Sequence, residues 1–166
     1  MPTGVLASRL TLLGPGRAGR ALARSWVAAG GQTLDIVART SVAARNAVAS
    51  VGGGRPLALS EIGGETDLLV LAVPDDEVVP AARVLGSRIR SRIAFHLSGA
   101  LSAAALEALR PSGASLGSLH PLRAFTGAPE ETWRDAFVAI EGDDAAMSVA
   151  EALVSALQGR PRRLSA

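Results

Sequence analysis

The sequence predicts an α/β protein: a doubly wound, mostly parallel sheet with helices on both faces, in three αβα layers. Three observations predict it. Short apolar or β-branched runs alternate with helical patterns along most of the chain. The segment Asp67–Val73 (D-L-L-V-L-A-V) is apolar after its first residue, without polar alternation, as a central strand covered on both faces must be. A glycine-rich turn, Gly14-Pro15-Gly16-Arg17-Ala18-Gly19, stands between the first apolar run and the first helical pattern.

In order, Arg9–Leu13 reads as a strand ending at Gly14, and the Ala-rich stretch through Gly30, with Leu22 and Trp26 at helical spacing, as a helix. Thr33–Ala38 is a second strand. Thr40 and Ser41 cap a helix over Ser41–Ser50, and Gly52-Gly53-Gly54 breaks the chain before a weak strand at Pro56–Leu59. After Asp67–Val73, Pro74-Asp75-Asp76 opens a helix to about Ile89. Arg92–Leu97 is a strand that stops at Ser98-Gly99, Ser102–Leu109 a short helix, Leu116–His120 a strand ending at a proline, and Phe137–Glu141 another strand. An amphipathic helix with an acidic start covers Asp143–Gln158, and the tail Arg160–Ala166 reads as a last strand.

With 166 residues, 48% hydrophobic and 19% charged, the chain is expected to form one domain over 1–166 with a sizeable core. No run approaches the roughly eighteen apolar residues of a membrane span, and Met1–Leu10 lacks a signal peptide's pattern. A cytoplasmic protein without a membrane partner is expected. The absence of Cys excludes disulfides, thiolate nucleophiles and zinc-thiolate sites, and two His leave little room for any metal site. All seventeen basic residues are Arg, the net charge is only +2, and the aromatics are three Phe and two Trp. Nucleic-acid binding on stacked aromatics is therefore not expected. Without Lys, Schiff-base chemistry and a phosphate-gripping Lys are both excluded.

The turn Gly14–Gly19 matches G-x-G-x-x-G where that pattern has physical meaning, after a strand and at the start of a helix. Gly14 permits the tight turn, Gly16 the approach of a pyrophosphate, and Gly19 close helix–strand packing. Pro15, Arg17 and Ala18 complete the expected cofactor loop. At the end of the second strand Arg39, Thr40 and Ser41 offer a guanidinium, two hydroxyls and a helix start to a 2′-phosphate, whereas Asp35 falls too early in its strand to reach the ligand edge. NADP is the expected cofactor. Val73, Pro74 and Asp75 follow the strongest strand and are expected to line the cofactor, although acids there also serve as ordinary helix capping. His120 and Ser98 end strands on the same edge. His120 is either a proton acceptor for a substrate hydroxyl, with Ser98 bonding the same oxygen, or a strand-end imidazole bonding a loop carbonyl. His96, two residues inside its strand, reads as structural.

These residues resemble a group of bacterial two-domain, NADP-dependent oxidoreductase-like proteins, in which a Rossmann-like domain precedes a helical domain of unknown function. The resemblance covers G-P-G-R-A-G-R-A-L-A (14–23), A-V-P-D-D-E-V (72–78), F-H-L-S-G-A-L-S (95–102), S-L-H-P-L-R-A-F (118–125) and A-I-E-G-D-D-A-A (139–146). The group is related to 6-phosphogluconate, β-hydroxyacid and prephenate dehydrogenases and to pyrroline-5-carboxylate reductase, which implies hydride transfer between NADP and a small hydroxy, oxo or imino substrate. Similarity to prephenate dehydrogenases implies a proton-accepting His120 and a supporting Ser98. Gly99-Ala100 departs from the Val-Lys that follows in those enzymes, and the catalytic Lys of β-hydroxyacid dehydrogenases has no counterpart. The resemblance also implies that the helical domain, which helps close the substrate site and often forms a dimer, lies outside this chain. A non-catalytic NADP-binding or sensing module acting with a partner chain is the alternative function, and an S-adenosylmethionine binder a third.

Overall fold

The computed structural model describes residues 4–164. A 3-10 turn (Gly4–Ala7) leads into β1 (Arg9–Leu13), α1 (Arg17–Ala28), β2 (Thr33–Ala38), α2 (Ser41–Val51) and β3 (Arg55–Ala58). A second 3-10 turn (Leu59–Glu61) precedes β4 (Gly64–Leu71), α3 (Asp75–Gly86) and β5 (Ile89–His96). A 3-10 helix (Ala103–Ser112), β6 (Ser115–Pro121), β7 (Phe137–Gly142), α4 (Asp144–Ala156) and β8 (Arg160–Arg163) complete the chain.

The eight strands form one sheet in the order β3-β2-β1-β4-β5-β6-β7-β8. Every neighbouring pair is parallel except β6 and β7. The chain begins in the middle, winds outward through β2 and β3, then returns past β1 to lay down β4. That reversal leaves a crevice at the carboxyl ends of β1 and β4, where sheets of this kind bind ligands.

Strand alternation sorts the core into two layers. Leu10, Leu12, Ile36, Val70 and Phe95 pack with Leu22, Trp26, Ala47 and Met147 under α1, α2 and α4. Leu13, Val37, Leu69, Leu71 and Ala94 face the other way and pack with Val78, Leu85, Leu106 and Leu109 under α3 and the long 3-10 helix. Leu12, Ile36, Leu69 and Leu71 are completely buried, each stabilising the fold by about 1.5 to 3 kcal/mol. This is the three-layer, doubly wound architecture that the alternating pattern predicts.

Several boundaries differ from the sequence reading. The β4 strand starts earlier than Asp67, because Glu65 and Thr66 pair with Arg90 and Ser91, and those same pairings extend β5 back from Arg92 to Ile89. Consequently α3 stops at Gly86 rather than near Ile89. The segment after Ser102 is a 3-10 helix reaching Ser112, and the last strand ends at Arg163; the final residues 165–166 of its expected span lie outside the described residues. The antiparallel β6–β7 pair arises because residues 122–136 form an irregular return with no crossover helix, so the chain re-enters the sheet in the opposite direction.

Candidate nucleotide and substrate site

The first turn sets the crevice. Gly14 has φ +86°, and a Cβ there would stand 2.7 Å from the Ala72 carbonyl oxygen, so the chain itself demands glycine. Gly19 sits equally close to its surroundings, 2.7 Å from the Gly14 carbonyl oxygen by the same measure, which lets α1 press against β1 and β4. Gly16 is different. A Cβ at Gly16 would meet only the Ala72 carbonyl oxygen, at 4.0 Å, so the protein's own packing leaves that space open. Gly16 is also the N-cap of α1 and no side chain caps the helix. The amides of Arg17, Ala18 and Gly19 lack carbonyl partners within the helix and, with the dipole, make a site for an anion.

A groove of about 540 Å³ opens over this turn between β1, β2 and β4. Gly14, Pro15, Gly16, Arg39, Val73 and Pro74 line it, as the sequence reading expects. Arg20, Asn46, Leu59 and Glu77 line it too, and were not foreseen. Arg20 lies one turn beyond Gly16 and donates from Nε to the Pro15 carbonyl (2.9 Å), which fixes the loop. Arg39 donates from one terminal nitrogen to Glu77 Oε1 (2.7 Å), so an ion pair spans the groove from the end of β2 to the first turn of α3. Thr40 caps α2 by accepting from the Ala43 amide (3.1 Å), leaving its hydroxyl proton to donate elsewhere, and Ser41 opens α2 on the surface. Asp75 is exposed at the start of α3 and does not border the groove. Asp35 is buried within β2 and grips Arg55 through both carboxylate oxygens (2.8 and 3.0 Å).

Arg17 and Ala18 face the other side of the α1 N-terminus. With Leu97, His120, Pro121, Arg123 and Phe125 they line a second cavity of about 230 Å³. His120 Nδ1 lies 3.3 Å from the Leu97 carbonyl oxygen. A carbonyl only accepts, so Nδ1 carries a proton, and the neutral ring has its lone pair on Nε2. The imidazole rests against Gly99, where a Cβ would come within 2.5 Å of Cε1 and Nε2. A Val at that position, as in the prephenate dehydrogenases, would displace the ring. Ser98 is buried behind this contact; its Oγ accepts from the Ala100 amide (3.1 Å) and its amide donates to His96 Nδ1 (3.1 Å). His96 donates from Nε2 to the Ser102 carbonyl (2.9 Å). Burial pushes its pKa down, against a smaller opposing effect of the Ser102 bond. Among the described residues no cluster of acids and imidazoles could hold a metal ion, and no helix is long and apolar enough to cross a membrane.

The model of the Rossmann-like domain family matches residues 4–121, from before β1 to the end of β6. The chain belongs to that family. No curated protein matches this chain. Solved structures do. A Bacteroides fragilis protein classed as an NADP oxidoreductase superposes with TM-score 0.82 at 17% identity, covering 98% of this chain and 62% of its own. Arogenate dehydrogenase of Synechocystis gives TM-score 0.75 at 16% identity over 95% of this chain and 59% of that one. A pyrroline-5-carboxylate reductase from Coxiella burnetii gives 0.71 at 14% identity, over 96% and 60%. At such identities the likeness is one of fold, and this chain spans about three fifths of the length of these proteins.

Proposed function

We propose that this Rossmann-like domain binds NADP(H) and is the nucleotide-binding part of an oxidoreductase that moves a hydride between NADP and a small hydroxy, oxo or imino substrate. The observation that carries the reading is Gly16: a glycine that the protein's own packing does not need, above three unbonded helix amides at the switch point of the sheet. Those amides suit a pyrophosphate. The 540 Å³ groove beside them suits an adenosine, and Arg39 at its rim suits a 2′-phosphate. Asp35, the other candidate for the ribose, is spent on Arg55. Only one Arg39 nitrogen is bonded among the described residues, so the guanidinium retains donors for a phosphate beside or in place of Glu77.

When bound, the nicotinamide accepts or supplies the hydride. The chain's own residues do the rest: α1 holds the phosphates, and His120 Nε2 takes the proton from a substrate hydroxyl or returns it to a carbonyl. A non-catalytic NADP-binding module working with a partner chain is the second reading, favoured by Ser98, whose hydroxyl already accepts from Ala100 rather than facing the His120 cavity.

Calorimetric titration with NADPH and NADH tests the binding. Arg39→Ala is expected to cost about 1.5 to 3 kcal/mol with NADPH, about tenfold or more in affinity, and almost nothing with NADH. Equal losses for both nucleotides would remove the 2′-phosphate role. A folded Gly16→Val variant that bound NADPH normally would remove the site altogether.

A further inference from the structure

Two helices open onto the nucleotide groove with opposite charge. The first turn of α1 holds no acid and leaves its amides to an anion, whereas the first turn of α3 carries Asp75, Asp76 and Glu77. Of these three only Glu77 lines the groove, and it is the one acid that does so among the described residues.

Its place is set from two sides. The Glu77 amide donates to the Pro74 carbonyl (2.9 Å), and its Oε1 accepts from Arg39 on the opposite wall (2.7 Å). Its Oε2 has no hydrogen-bond partner among the described residues. The other ion pairs lie elsewhere on the described surface, and only Arg39 and Glu77 both border the groove. With side chains 81% and 41% exposed, this pair adds little to stability. Its consequence lies in what a nucleotide meets there.

A dinucleotide brings to this rim either two ribose hydroxyls or a 2′-phosphate. The acid that ordinarily receives the hydroxyls ends the second strand, but here Arg39 follows that strand and Asp35 is held inside it by Arg55. Glu77 supplies a carboxylate from the other wall, with one oxygen still able to accept from a hydroxyl. Toward a 2′-phosphate the same group works in reverse. It occupies one nitrogen of Arg39 and sets a like charge beside the guanidinium that the phosphate would use.

We propose that Glu77 is a specificity-determining residue of the groove: it accepts from the ribose hydroxyls of NAD(H) and opposes the 2′-phosphate of NADP(H). The groove then takes both nucleotides, and Arg39 tips the balance toward NADP(H). The inference rests on the nucleotide-binding reading and adds to it the residue that limits the preference.

The test is calorimetric titration of NADPH and NADH into the wild-type protein, Glu77→Gln and Asp76→Asn, each shown to be folded by circular dichroism. Gln keeps the length and shape of the side chain and removes only its charge. Glu77→Gln is expected to tighten NADPH about three- to fivefold and to weaken NADH about threefold, so that the ratio of the two affinities rises about tenfold or more. The gain with NADPH is expected to shrink as salt is added. Asp76→Asn, which removes a charge from the same turn outside the groove, is expected to change either affinity less than about twofold. Unchanged affinities in Glu77→Gln overturn the proposal and leave the pair a solvated surface contact. Weaker NADPH binding overturns it too, by making Glu77 a support for Arg39, and an equal gain in Asp76→Asn does so by reducing the effect to net charge. Each of these results leaves the nucleotide-binding reading standing. A wild-type protein that binds neither nucleotide overturns that reading and this inference with it.

Discussion

His96 and His120 close neighbouring parallel strands, β5 and β6, yet the fold uses them in opposite ways. His96 is completely buried, and both ring nitrogens are bonded inside the protein, one to the Ser98 amide and one to the Ser102 carbonyl. Its proton is fixed in place and serves to pin the turn after β5. His120 spends one nitrogen on the Leu97 carbonyl and turns its other atoms toward Gly99 and a solvent-reached cavity. Position at a strand end therefore does not make an imidazole reactive. What distinguishes the two is a nitrogen left with its lone pair and somewhere for a ligand to stand.

The sharpest way to break this comparison is to remove each ring in turn. His96→Ala empties a fully buried site and leaves the buried Ser98 amide without its partner, and is expected to cost about 3 kcal/mol or more in urea unfolding, whereas His120→Ala is expected to cost about 1 kcal/mol or less. Similar losses for both would mean that His120 is structural too. Next in size, His120→Asn is expected to slow NADPH turnover on a matching carbonyl substrate about a hundredfold, with NADPH affinity within about threefold of wild type. Undiminished turnover would assign His120 to the loop-carbonyl bond alone. A smaller effect is expected from Gly99→Ala, whose methyl group would push on the His120 ring. Turnover should fall about tenfold at a stability cost of about 1 to 3 kcal/mol, and the His96 signals should stay in place.

The smallest effect separates the two by pH. His96 has a folded pKa below its unfolded value, near 6.5, because burial disfavours the charged ring. Below that value the unfolded chain binds a proton that the folded chain refuses, so stability is present above about pH 6.5 and declines as pH falls through it, by up to about 1.4 kcal/mol per unit. Thermal unfolding at pH 7.5 and 5.5 should show the decline in the wild-type protein and a weaker one in His96→Gln. The same slope in both would place the titrating group elsewhere.

Much of the frame is legible in the sequence because it is local. Thr33–Ala38 is read to the residue, since five of its six positions are apolar or β-branched and the Arg39 and Thr40 cap that follow leave no other boundary. The glycine turn is legible for the same reason, and so is the structural role of His96. What escapes notice depends on residues far apart in the chain. Glu77 reaches Arg39 across 38 positions, and Arg24 holds Ala128 across 104. No spacing rule connects such pairs, and so the acid in the groove and the second cation beside His120 appear only once the chain is folded. The reversal at β7 is hidden likewise, because it follows from a missing crossover rather than from any signal in β7 itself.

The sheet's two outermost strands share a composition with a consequence for the protein in concentrated solution. Both β3 (R-P-L-A) and β8 (R-P-R-R) are four residues long and begin Arg-Pro. Because the Arg160 amide bonds inward to Ala136, Pro161 occupies a place whose amide would point away from the sheet. On β3 the Ala58 amide is taken by Glu61 (2.6 Å), and Pro56, two residues earlier, has no proton to offer. Both borders thus present few donors, short lengths and positive charge to a passing copy of themselves, which is how open sheets avoid growing into fibrils by strand addition.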